Sequence, residues 1–188
     1  MLLEFLQTFI ILFLIMDPFS SFTVFISLTK KFSKKEKIKS ANKAVLVAAI
    51  LAFVFVLTGK SILDLFSISL RSFTVIGGIT LFLLGLEMIL SFKISKEKAK
   101  NYNVAAVIVA TPLTTGPGVI ASVIIFTNEI GMVLTSLALF LSLFLIWLFL
   151  RVSEYVERVL GKEVIDIISK IVGILIAAKG IELILSSF

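Results

Sequence analysis

The sequence predicts an all-α polytopic membrane protein of six transmembrane helices, arranged as two inverted three-helix repeats with the first helix of each repeat discontinuous. Three observations carry this. Of 188 residues, 59% are hydrophobic and only 16% charged, and the mean hydropathy of +1.16 lies far outside soluble averages. The apolar residues fall into runs long enough to cross a hydrocarbon core roughly 30 Å thick. Finally, the chain matches itself at an offset of 95 residues.

Backbone polar groups in lipid must bond within their own segment, so each apolar run reads as one helix. The spans are roughly Leu2 to Leu28, Ala44 to Phe66, Phe73 to Phe92, Val104 to Asn128, Met132 to Val152, and Val164 to Ser187. The first run is too long for the apolar core of a cleavable signal and has no basic stretch before it, so it is expected to remain as a span. The connection Lys30 to Lys43 holds seven lysines against one glutamate, Lys93 to Lys100 holds four lysines, and the fifth connection carries Arg151, Arg158 and Lys162. The second connection has only Lys60 and Arg71, and the fourth, around Asn128 to Gly131, has no basic residue. The excess of basic residues in the odd connections makes those cytoplasmic. Both termini are then outside the membrane, and the +6 net charge orients the protein instead of binding nucleic acid.

The self-match aligns Val75 to Ser91 with Lys170 to Ser186: Gly78 meets Gly173, Gly85 meets Gly180, and Glu87 meets Glu182. Residues 1–92 form one repeat, 93–103 a cytoplasmic linker, and 104–188 the second repeat. Because three is odd, the second repeat enters from the opposite side and is inverted. Such repeats recur in secondary transporters, whose site lies near the midplane at interrupted helices. The chain's three prolines stand where that plan requires: Pro18 in the first span, within Met16 to Ser21, and Pro112 and Pro117 in the fourth, within Ala110 to Gly118.

Each break also has a plainer reading. A single membrane proline is often only a kink, whereas Pro112 followed by Gly116, Pro117 and Gly118 points to an unwound segment. Unwinding exposes carbonyls, and a new helix amino terminus near Gly118 attracts a carboxylate. Thr111, Thr114 and Thr115 add hydroxyls, unless they bond back to their own helix. Asp17 is costly at membrane depth, at least ~2.5 kcal/mol on insertion scales. Before Pro18 it fits an N-cap with the proline at N1, and it is a candidate for a direct part in transport. Lys179 is explained by an ion pair with Glu182 three residues on. Glu87 and Glu182 are candidates for ion coupling, and Gly77, Gly78, Gly85, Gly173 and Gly180 for close helix packing. With neither cysteine nor histidine, thiol and imidazole chemistry are excluded. The expectation is no catalytic residue, no metal site and no cofactor, hence not an enzyme.

The segments Asp17 to Phe22 (DPFSSF), Pro112 to Ile120 (PLTTGPGVI) and Ser69 to Leu90 resemble the MarC family, also described as a neutral amino-acid transporter family. Ser20 and Ser21 stand where that family usually has Gly and Asn. The resemblance implies transport of small neutral amino acids, of the glycine and alanine class, across the cytoplasmic membrane by alternating access, with proton coupling. The expected binding residues are Asp17, Ser20, Ser21, Thr111, Thr114, Thr115, Gly116 and Gly118. The partners are a small neutral amino acid, membrane lipid, a proton or other coupling ion, and further copies of the chain as a homo-oligomer. The alternative is a passive channel or facilitator for small polar solutes, which would use the same breaks.

Overall fold

The computed structural model describes residues 2–90 and 116–188. All regular elements among them are helices: α1 (Leu2–Ile15), α2 (Pro18–Thr29), α3 (Lys34–Leu65), α4 (Leu70–Leu90), α5 (Pro117–Glu129), α6 (Met132–Arg151) and α7 (Ser153–Leu185). Of these, α3, α4 and α6 are each long and apolar enough to cross a membrane.

Pro18 separates α1 from α2, since it has no N–H to continue the ladder. Leu14 C=O is taken instead by the Asp17 N–H at 2.9 Å, and Asp17 C=O accepts from Ser21 N–H at 3.1 Å to start α2. Asp17 itself adopts φ 42, a left-handed conformation that aspartate tolerates better than most residues. Phe149 of α6 packs on both sides of this junction, 6.1 Å from the ring of Phe13 and 6.2 Å from that of Phe19.

Two boundaries differ from the hydropathy reading. The lysine-rich stretch is helical from Lys34, ten residues before the expected span, because Ser33 and Glu36 form a capping box. Glu36 Oε2 accepts from Ser33 N–H at 2.8 Å and from its hydroxyl at 2.7 Å, which holds the exposed carboxyl below its usual range. The segment between the last two spans is also helical, and the chain leaves helical geometry there only at Gly161 (φ 75, ψ 161). Hydropathy finds apolar runs and is blind to charged turns that a cap can support.

Apolar surface gains little by leaving lipid for another helix, so packing here relies on small residues. The buried face of α3 is Ala41, Ala44, Ala48 and Ala52, each at most 1% exposed, while Leu46, Ile50, Val54 and Leu57 on its other face are exposed. The most extensive contact among the described elements is α4 against α7. A Cβ placed on Gly78 would lie 2.6 Å from Gly180 O, and one on Gly85 would lie 2.5 Å from Gly173 O. Numbers rise on one helix as they fall on the other, so the pair is antiparallel.

The ends of the helices separate by charge. Arg71 donates to the Ser187 and Phe188 carbonyls, and Glu4, Ile130 and Glu182 line one cavity. The chain's two ends, the α3–α4 turn and the α5–α6 turn therefore share one end of the bundle. Asn42 and Trp147, bonded to each other at 2.8 Å, mark the opposite, lysine-rich end.

Candidate functional site

Asp17 is 3% exposed and Ser21 completely buried, among Leu12, Ile15, Met16 and Phe22. The Ser21 hydroxyl donates to Met16 C=O at 3.4 Å, turning one break carbonyl toward a side chain that the sequence places in the binding segment. Asp17 makes interactions of its own. A buried carboxylate is expensive without partners, so its retention marks this junction.

The start of α5 lies against that junction. Gly116 is its N-cap, in extended conformation with φ −64 and ψ 175, Pro117 occupies the first turn, and no side chain caps the helix. Gly116 C=O accepts from Val119 and Ile120 N–H at 3.0 and 3.2 Å. A Cβ on Gly118 would stand 2.8 Å from Leu81 Cδ2, 3.6 Å from Ile15 Cγ2 and 3.7 Å from Leu84 Cδ2. Ile15 ends α1 two residues before Asp17, so the first turn of α5 packs on the end of the helix that leads into the buried carboxylate.

Of the expected binding residues, Asp17 and Ser21 are buried at the α1–α2 junction, and Gly116 and Gly118 open α5, whose Gly118 faces Ile15 at the end of α1. Thr111, Pro112, Thr114 and Thr115 lie outside the described residues, as do the side chains of Ser20 and Pro117. Glu87 is half-buried on α4, one turn beyond Leu84. Glu182 is elsewhere: its side chain is 67% exposed and pairs with Lys179 at 2.9 Å. It lines an open cavity of about 400 Å³ with Glu4, Gln7, Ile11, Phe126 and Glu129. From Ile11 to Asp17 is roughly 9 Å along the helix at 1.5 Å per residue, and the buried Leu12 and Ile15 fill the interval.

One residue of interest escaped the sequence reading. Ser122 is 2% exposed, and its Oγ has no hydrogen-bond partner among the described residues, unlike Thr127, which bonds back to Val123 at 2.7 Å. Four residues beyond Gly118, it shares that glycine's helix face. A hydroxyl within an apolar stretch one turn from a glycine break was the available signal.

Residues 2–188 match the MarC family, described as "MarC family integral membrane protein". A UPF0056 membrane protein of Archaeoglobus fulgidus is 33% identical over 189 residues, covering 95% of this chain and 89% of that one. Its counterpart in Aquifex aeolicus is 35% identical over 191 residues, covering 95% and 89%. A third, in Escherichia coli, is 31% identical over 191 residues, covering 95% and 88%. No solved structure matches the chain. The match spans both the Asp17 junction and the Gly116 helix start, and the chain belongs to the MarC family of integral membrane proteins.

Proposed function

We propose that the protein is a secondary transporter that moves small neutral amino acids, of the glycine and alanine class, across the prokaryotic cell membrane by alternating access coupled to protons. The observation that carries this reading is the buried Asp17, at a helix junction against the glycine-led start of α5. An amino-acid carboxylate suits the amino terminus of α5, and its ammonium suits Asp17. Gly116 and Gly118 bring no side chain to this helix start, and Leu81, Ile15 and Leu84 within 3.7 Å of a Gly118 Cβ suit only a small substrate. A zwitterion beside Asp17 leaves one negative charge among apolar walls, and a proton taken up with the substrate neutralises it.

The inverted repeat and the discontinuous first and fourth spans belong to this proposal. In the sequence register Gly78 corresponds to Gly173 and Gly85 to Gly180, yet the contacts are crossed, Gly78 to Gly180 and Gly85 to Gly173. Crossed pairs of equivalent residues are what a two-fold axis between two antiparallel helices produces. That supports two halves rocking about the α4–α7 contact, with the lysine-rich end cytoplasmic and the chain's two ends outside. Uptake of labelled glycine into proteoliposomes, with and without an inward proton gradient, tests the reading. Accumulation that rises with the gradient is expected, and equal flux with and without protein would refute transport.

A further inference from the structure

At the lysine-rich end, Trp147 of α6 donates its indole N–H to Asn42 Oδ1 of α3 at 2.8 Å. It carries the Arg151 guanidinium on its face at 4.4 Å, and Phe144 stacks on it at 5.7 Å. The indole thus fixes both the α3–α6 contact and the plane of the guanidinium. Arg151 is exposed, and no protein acceptor bonds to it among the described residues. Lys39 and Lys43 are exposed on the neighbouring turns of α3.

Directly along the same helix faces, the surface becomes apolar within about one turn. On α3 the exposed residues after Lys43 are Leu46 and Ile50, and on α6 those before Arg151 are Leu148, Phe144 and Phe140. A fork of cations above two apolar stripes is complementary to an anionic amphiphile and not to a free anion. We propose that Arg151, Lys39 and Lys43, organised by Trp147 and Asn42, bind the phosphate of an anionic membrane phospholipid whose acyl chains lie along Leu46, Ile50, Phe144 and Phe140. The guanidinium N–H edge takes the phosphate oxygens in a two-point contact, and the lysines supply charge. The site is independent of the transport reading.

Trp147 is the chain's only tryptophan, so its fluorescence reports on this place alone. The purified protein is reconstituted in vesicles containing either phosphatidylglycerol or phosphatidylcholine brominated near the headgroup end of the acyl chains. Apparent association of the anionic lipid is expected to exceed that of the zwitterionic one by about five-fold, the worth of one basic residue near an anionic surface. Arg151→Gln is expected to lower that preference about two-fold or more, as is the exposed pair Lys39→Gln with Lys43→Gln, which keeps the test valid if the arginine variant does not fold. Equal quenching by the two lipids in the wild type, or an unchanged preference in folded variants, would overturn the proposal. Reversal of the quenching difference by inorganic phosphate at about ten millimolar would also overturn it, since the ligand would then be a soluble anion.

Discussion

Replacing Gly85 or Gly118 with alanine adds the same methyl group in two surroundings, and the structure predicts opposite outcomes. At Gly85 the added Cβ would meet Gly173 O at 2.5 Å, Ala177 N at 2.6 Å and Ala177 Cβ at 2.7 Å, mostly backbone of the facing helix. Relief requires α4 and α7 to move apart along their whole contact. Overpacking costs about 1–3 kcal/mol, and with backbone on the far wall the upper figure applies. Helix propensity returns roughly 1 kcal/mol for glycine to alanine, leaving a net loss of about 2 kcal/mol. For a chain of this size that lowers Tm by about 4–8 °C. At Gly118 the one close atom is Leu81 Cδ2, at 2.8 Å, the far end of a flexible side chain. Its adjustment costs about 0.5–1.5 kcal/mol, which the propensity term roughly cancels, so Tm changes by less than about 2 °C. Under the proposed function the methyl group crowds the substrate carboxylate, and the KM for glycine is expected to rise about ten-fold, the equivalent of ~1.4 kcal/mol. Thermal unfolding in detergent together with glycine uptake in proteoliposomes reads both quantities. Equal Tm losses in the two variants, or a Gly118→Ala protein with wild-type KM, would refute the reasoning.

Four further outcomes follow from the same structure. Asp17→Asn is expected to abolish gradient-driven uptake while the protein stays folded, as circular dichroism would show; full transport would remove the charge from the mechanism. Ser122→Ala deletes a buried hydroxyl with no partner among the described residues, so Tm is expected to hold or rise slightly while glycine affinity falls; a clear loss of stability would mean the hydroxyl is bonded after all. Ser33→Ala removes the cap of α3 and is expected to cost about 1 kcal/mol, visible as faster amide exchange confined to Lys34 through Lys39. In this cysteine-free chain, cysteines at the exposed positions Lys31 and Glu163 are expected to label only from the cytoplasm and one at Leu3 only from outside, and the reverse pattern would turn the protein over.

Much of this arrangement is visible in the sequence, for identifiable reasons. Proline removes a donor wherever it stands, so Pro18 and Pro117 announce the ends of α1 and the beginning of α5 without any tertiary information. Gly131 (φ 88) marks the turn that the break between apolar runs at Asn128 to Gly131 predicts. The glycines of the repeat announce close packing, but not their crossed partners, because identical spacing on two helices fits either parallel or crossed contacts until the chains meet. The left-handed Asp17 (φ 42) is not what a side-chain cap in extended geometry would show, and no local signal in the sequence announces it. The separation of Glu182 from Glu87, equivalent in sequence, follows from the antiparallel contact of α4 and α7, and their partners differ too, since Lys179 pairs with Glu182 whereas Leu84 stands in the lysine's place before Glu87. Charged helix extensions at Lys34 and Ser153 are the least legible, since hydropathy does not mark them; the first is held by its capping box, and the second starts at Val152 without a side-chain cap.

The central claim is that a zwitterion is held with its carboxylate at the start of α5 and its ammonium toward Asp17. Competition against labelled glycine uptake by unlabelled glycine and by methylamine, which keeps the amine and lacks the carboxylate, tests it most directly. Glycine is predicted to compete fully and methylamine not at all at the same concentration. Methylamine competing as well as glycine would contradict the claim, and the start of α5 would then be no more than a bend in a packed helix.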